Sequence, residues 1–141
     1  MQELLQKAIS IAYNSHKNQY NVNGEPYILH PMRIMLKTKN EEQMITAVLH
    51  DVVEKSDVEL DHLEIEGFNK NIVAAVDALS RKNDELYDSY ISRVLKNKLA
   101  IKIKIIDLID NIKIHKSMDV KENTSIKLIQ YENALSMIKA K

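Results

Sequence analysis

Apolar residues recur along most of the chain at intervals of three and four, the spacing of one face of an α-helix. Over residues 3–18, Leu5, Ala8, Ile9 and Ala12 define such a face. The polar stretch 18–27, NQYNVNGEPY, carries Gly24 and Pro26 and reads as a loop. Pro31 suits the first position of a helix running to about Lys37, where an N–H has no intrahelical partner anyway. Asn40 has the makings of the next N-cap. Glu41 and Glu42 favour the positive helix end, and Gln43 completes a capping-box pattern. From there Met44, Ala47, Val48 and Val52 carry one apolar face through about Lys55. Residues 59–65 form a short helix that Gly67 stops, and residues 71–79, NIVAAVDAL, are helical again. The polar joint SRKND follows, and Leu86, Tyr90, Ile91, Val94 and Leu95 mark a helix over 85–95.

Residues 99–114, LAIKIKIIDLIDNIKI, carry two patterns at once. Ile101, Ile103 and Ile105 alternate with lysine, which is the period of a strand. Leu99, Ile103, Ile106 and Asp110 nevertheless share one helical side, and Ile101, Ile105, Leu108 and Ile112 another. The stretch is too long and continuous for one strand, and its neighbours are helical, so a buried central helix is the better reading. Residues 120–139 form a last helix with Ile126, Ile129, Leu135 and Ile138 facing inward. The expected fold is all-α: a compact bundle of six to eight helices, in one domain over residues 1–141.

Composition supports this. There are only two Gly and two Pro in 141 residues, few interruptions for long helices. The chain has no Cys, which excludes disulfides and thiolate metal sites and leaves His, Asp and Glu for any metal. No apolar run is long enough for a membrane span, and the start, MQELLQKAIS, lacks the apolar core of a signal peptide. The cytoplasm is the expected compartment. Twenty basic residues balance twenty acidic ones, so there is no electrostatic case for a nucleic-acid polymer as partner. A small anionic substrate remains compatible, since local field differs from net charge. Arg33, Arg81 and Arg93 alone offer a guanidinium fork to phosphate.

The chemistry gathers at His50-Asp51, inside the apolar run AVLHDVVE, and at Asp107, inside IKIIDLID. A buried carboxylate is costly unless paired or bound to a metal. His30 lies at the end of the first loop. Two imidazoles and two carboxylates make a nitrogen/oxygen set that suits one divalent ion, Mn²⁺, Fe²⁺ or Zn²⁺, better than a soft metal. The residues alone leave two readings: a metal site, or histidines and aspartates satisfied by ordinary hydrogen bonds.

Several segments together resemble the HD superfamily of metal-dependent phosphohydrolases. Within it they are most similar to the alarmone (ppGpp) hydrolase domain of bifunctional synthetase/hydrolase enzymes and to their short stand-alone relatives. HKNQYNVNGEPYILHP (16–31) resembles the first histidine segment and AVLHDVVE (47–54) the HD helix. DALSRK (77–82) and YDSYISRV (87–94) resemble the stand-alone relatives, and IKIIDLIDNI (103–112) the last aspartate segment. The resemblance covers about residues 4–135; the synthetase domain of the long enzymes has no counterpart in it. It implies His30, His50, Asp51 and Asp107 as metal ligands and Glu54 as a catalytic acidic residue. It implies Asn111 as a catalytic and substrate-contacting residue. Arg81 and Tyr131 are further substrate contacts, and His16 either supports the ligands or packs. The implied reaction is attack of activated water on phosphorus, removing pyrophosphate from the 3′ position of the alarmone.

Two positions depart from that family. Where active relatives read HDVVED, this chain reads HDVVEKS, so Lys55 replaces an acid. At about 6 Å and an effective dielectric of about 20, each unit of charge there is worth up to about 3 kcal/mol. Lys55 can turn to solvent, pair with Glu54 or grip a substrate phosphate. Asn21-Val22 stands where alarmone hydrolases carry an Arg-Lys pair that holds the guanine nucleotide. These departures keep open a non-catalytic nucleotide-binding or regulatory domain, or a scaffold, beside the phosphohydrolase of a small nucleotide or phosphate ester. A chain of this size is also compatible with a homo-oligomer.

Overall fold

The computed structural model describes residues 2–117 and 122–140, and the beginning of the last expected helix, 120–121, lies outside them. The described residues form helices and no strand: α1 (Gln2–His16), α2 (Leu29–Leu36), α3 (Glu41–Leu49), α4 (Val52–Lys55), α5 (Leu60–Ile65), α6 (Lys70–Ala78), α7 (Tyr87–Val94), α8 (Lys98–Lys116) and α9 (Glu122–Lys139). α4 is a single turn that continues α3 across a break. The all-α expectation holds, and residues 99–114 are helical, as their length and neighbours argued.

α3 forms the centre, with Ile45, Ala47, Val48 and Leu49 fully or almost fully buried. α1 and α2 pack on it from one side and α6 from another, while α8 contacts α2, α3, α6 and α7 and carries α9 on its outer side. Asparagines start three of these helices. Asn40, Asn69 and Asn97 accept from the backbone N–H three residues on, each at 2.9 Å. A cap of this kind contributes typically about 1 kcal/mol. Gln43 returns the bond at α3 by accepting from Lys39 N. Gly67, at φ 101°, closes α5 in the left-handed region that a side chain would strain.

Three expectations need correction. Pro31 occupies the third position of α2, not the first, because the helix already starts at Leu29. Proline is tolerated there since the whole first turn lacks intrahelical acceptors for its N–H groups. His30 is therefore inside the helix. The helix expected through Lys55 breaks at His50-Asp51, where His50 Nδ1 donates to Ala47 O at 2.7 Å and the backbone N–H reaches the same carbonyl only at 3.4 Å. On α9, Ile138 is buried and Leu135 half-buried, but Ile126 and Ile129 are 61% and 58% exposed. At about 100° per residue these two lie on the side of the helix opposite Leu135 and Ile138, so only one pair can face the bundle.

Candidate metal centre

The break between α3 and α4 brings two adjacent side chains to one point. Successive helical residues lie about 100° apart; here His50 Nε2 and Asp51 Oδ2 are 3.2 Å apart. α2 supplies His30 and α8 supplies Asp107. His30 Nε2 is 2.8 Å and His50 Nε2 3.2 Å from Asp107 Oδ1. One ligand atom from each of His30, His50, Asp51 and Asp107 falls within a span of 4.8 Å, and all four residues are buried.

This arrangement fits a divalent ion on two counts. Metal bonds of about 2.1 Å set at right angles put neighbouring ligand atoms about 3.0 Å apart, and the three separations given above, 2.8 to 3.2 Å, lie on either side of it. Both imidazoles also have the correct nitrogen free. A carbonyl or carboxylate oxygen can only accept here, so His50 Nδ1 donates to Ala47 O, and His30 Nδ1 donates to Asp110 Oδ2 at 2.6 Å. Nε2 is left to the ion in each ring. Arg33 completes the support, its Nε and a terminal nitrogen meeting the two Asp110 oxygens at 2.9 and 3.0 Å. Tyr27 donates to Asp51 Oδ2, and Lys104 Nζ lies 2.9 Å from Asp107 Oδ2. Asn111 Nδ2 donates to Asp107 Oδ1 at 3.2 Å.

The electrostatics show what charge the cluster lacks. Burial opposes the charged form of His50, yet Asp51 and Asp107 outweigh it and raise its pKa to about 10. His30 is raised too, with Asp107 and Asp110 prevailing over burial. Burial would push Asp110 up, but His30 and Arg33 hold it down at about 2. Asp107 is lowered against burial by Lys104 and the two imidazoles. The carboxylates therefore gather positive charge, which protons supply on the imidazoles or a divalent ion supplies in their place. Glu54 behaves differently: burial and the neighbouring Asp51 raise its pKa.

The cluster forms one wall of a cleft of about 710 Å³. Lys55, Arg81, Lys104 and Lys127 line it beside Asp51, Glu54 and Asp107, so cations concentrate locally in a chain of no net charge. Glu54 Oε1 accepts from Arg81 N at 2.8 Å, which fixes the carboxylate against the loop before α7. Arg81 stacks over Tyr87, 5.2 Å from its ring centre. Lys55 Nζ rests 5.2 Å from the centre of the Tyr27 ring, and its carbonyl accepts from Gln19 Nε2. Asn21, Val22, Asn111 and Tyr131 also line the cleft. His16 does not; its ring packs on Tyr27.

Of the expected site residues, His30, Asp51, Glu54, Lys55, Arg81, Asp107, Asn111 and Tyr131 line this cleft, while His50 sits in the cluster behind its surface and His16 behind its wall. Sequence reasoning missed Tyr27, Arg33, Lys104 and Asp110. Two of them carried a signal. Asp110 is a second carboxylate within an apolar helix, three residues past Asp107, and Arg33 lies three residues past His30.

No known family's sequence profile matches the chain. Among curated proteins it is 28% identical over 123 residues to a guanosine-3′,5′-bis(diphosphate) 3′-pyrophosphohydrolase of Aquifex aeolicus, a match covering 79% of this chain and 18% of that protein. It is 33% identical over 82 residues to the protein of the same name from Borreliella burgdorferi, covering 55% and 12%. The chain thus spans less than a fifth of the length of these relatives. A solved structure described as that of a metazoan ortholog of SpoT that hydrolyzes ppGpp superposes with a TM-score of 0.77 at 16% identity, covering 96% of this chain and 84% of that one. The chain therefore shares that protein's fold. It is distantly related in sequence to ppGpp hydrolases and holds an HD-like His/His/Asp/Asp cluster.

Proposed function

We propose that the chain is a metal-dependent phosphohydrolase of a nucleotide, with guanosine-3′,5′-bis(diphosphate) as its leading candidate substrate. The observation that carries this is the convergence of the His30, His50, Asp51 and Asp107 ligand atoms at the wall of a cation-lined cleft, beside a carboxylate that is not a ligand. In this reading Mn²⁺ is the favoured ion, with Fe²⁺ and Zn²⁺ as alternatives. When bound, such an ion supplies Lewis-acid activation of water and of the phosphoryl group.

The chain's own residues do the rest. Glu54, with its raised pKa and one oxygen fixed by Arg81 N, takes the proton from the attacking water. The new bond joins that water oxygen to phosphorus, the bond from phosphorus to the 3′-oxygen breaks, and the proton passes to the leaving oxygen. Asn111, one turn beyond Asp107, contacts a sugar or phosphate oxygen. Lys55 and Arg81 hold a second anionic group, and Tyr131 flanks the nucleoside. These charges stabilise the transition state by being in place before it forms.

The substitution of lysine at position 55 and the Asn21-Val22 pair favour a second reading, a nucleotide-binding or regulatory domain without turnover. One experiment separates the two. Protein loaded with Mn²⁺ is incubated with ppGpp, pppGpp, ribo- and deoxynucleoside triphosphates and nucleoside monophosphates, and products are resolved by ion exchange, with Asp51→Ala in parallel. GDP and pyrophosphate from ppGpp, absent in the variant, support the alarmone reading. Turnover of another nucleotide moves the substrate, and binding without any product selects the regulatory reading.

A further inference from the structure

Two buried polar atoms of residues lining the cleft have no partner among the described residues, Tyr87 Oη and His115 Nε2, and the catalytic roles above use neither. His115 lies on α8, one turn beyond Asn111, and is 5% exposed. Its Nδ1 is 2.8 Å from Asn111 O. A carbonyl oxygen can only accept, so Nδ1 carries the proton, and in the neutral ring Nε2 keeps its lone pair. No described residue bonds to that buried nitrogen. A buried polar atom left unpaired carries the full cost of losing its water, a cost that an apolar residue in its place would not incur.

The position gives the orphan a meaning. Asp107, Asn111 and His115 are successive rungs on one edge of α8, and all three line the cleft. At 1.5 Å per residue, Asn111 lies about 6 Å and His115 about 12 Å along the axis from Asp107. A nucleotide whose phosphate sits at the metal cluster has room to lay its nucleoside along that edge. The far end suits a nucleoside. Tyr131 meets His115 edge to face at 5.3 Å, and Val22 and Ile114 add apolar wall. Asn23 Nδ2 donates to Ser117 Oγ at 3.2 Å, which holds the tip of the first loop against the end of α8. A phosphate dianion offers no donor to a lone pair, whereas a ribose hydroxyl or a base N–H does.

We propose that His115 is a specificity-determining residue that accepts, through Nε2, a hydrogen bond from the ribose or base of the bound nucleotide. It recognises the nucleoside from a position independent of the absent basic pair at residues 21–22. The inference rests on the nucleotide reading of the cleft, and its test keeps the two apart.

The test compares Mn²⁺-loaded wild type, His115→Leu and His115→Gln at pH 8 by calorimetry, with GDP, its 2′-deoxy analogue, inosine diphosphate and pyrophosphate as ligands. Glutamine places an amide near the position of Nε2, so it preserves the acceptor. His115→Leu is expected to weaken GDP about three- to tenfold, the worth of one net hydrogen bond, and His115→Gln to restore most of that. Pyrophosphate, which has no nucleoside, is expected to bind both variants as it binds wild type. The analogue that wild type and His115→Leu bind equally identifies the donor: the 2′-hydroxyl or the 2-amino group. If neither analogue removes the difference, the donor is one that both retain, the base N1–H or the ribose 3′-hydroxyl. Unchanged GDP affinity in His115→Leu overturns the inference, and so does an equal loss for GDP and pyrophosphate. Wild-type hydrolysis of ppGpp with GDP affinity unmoved by the leucine overturns the inference alone. A wild type that binds no nucleotide removes both readings.

Discussion

α8 and α9, the two longest helices among the described residues, pack on each other, and each breaks the amphipathic rule in the opposite sense. α8 buries charge: Lys104, Asp107 and Asp110 are each no more than 7% exposed. α9 exposes hydrocarbon: Ile126 and Ile129 face outward, with Met137 a third such residue. The charges on α8 are tolerable because each has a named partner. Asp107 meets His30, His50, Lys104 and Asn111, and Asp110 meets His30 and Arg33. A buried, fully partnered charge network identifies a working surface. An exposed apolar residue has no comparable requirement, since much of any folded surface is apolar.

The largest test of that contrast is Asp107→Ala. It removes a proposed ligand and also strands Lys104, a buried ammonium whose pKa Asp107 raises. Breaking a buried pair from one side costs about 3–5 kcal/mol, so urea unfolding of the metal-free variant should show a loss of that size. Bound metal and turnover should vanish with it. A loss below about 1 kcal/mol would mean that the network on α8 is loosely held, contrary to its geometry.

Arg33→Met tests the same network one step further out. Arg33 touches no ligand; it holds Asp110, and Asp110 holds the tautomer of His30. Removing such support typically lowers metal affinity 10- to 100-fold. The expected result is a weaker Mn²⁺ dissociation constant by about that factor, with wild-type affinity only partly restored by Arg33→Lys, which lacks the fork. An unmoved affinity would reduce Asp110 and Arg33 to an ordinary ion pair.

Acid should compete with metal at this end of α8. His50 has an ordinary value of 6.5 and a folded value of about 10. In metal-free protein its imidazolium therefore contributes stability that is fully present below 6.5 and lost as pH rises through about 10. A metal needs the lone pair that this proton occupies. Mn²⁺ affinity should accordingly rise from pH 6.5 to 9, by about tenfold per unit for each proton displaced. A flat profile would show that His50 does not coordinate.

What the sequence made legible follows the same division. His30, His50, Asp51 and Asp107 were found through a resemblance in motif, and their burial supplied the physical reason. Tyr27 and Lys104 stayed hidden because a tyrosine in a loop and a lysine in an Ile-Lys alternation have ordinary solvent-facing readings. Only the fold turns Lys104 inward, 4.9 Å from the centre of the Tyr90 ring. The break at His50-Asp51 was hidden too, since it arises where a side chain competes for a backbone carbonyl, and spacing is blind to that. On α9 the failure is geometric. At about 100° per residue Ile126 and Ile129 lie on the side of α9 opposite Leu135 and Ile138, so the four cannot all face inward, and the second pair is the one packed on the core.

The smallest effect tests that last point. Ile129→Lys should change the stability of metal-loaded protein by no more than about 0.5 kcal/mol, as exposed substitutions do. Ile138→Ala, buried on the same helix, should cost about 2–5 kcal/mol. The pair is informative because nine residues at about 100° each put Ile129 and Ile138 on opposite sides of α9, so the outward and the buried side are tested on one helix. Equal and large losses would mean that the outer face of α9 is covered in solution. The loss at Ile129 would then depend on protein concentration if a second copy provides the cover, because dissociation of a dimer follows mass action. Equal and negligible losses would instead detach α9 from the core, and with it the cleft wall that Lys127, Gln130 and Tyr131 provide.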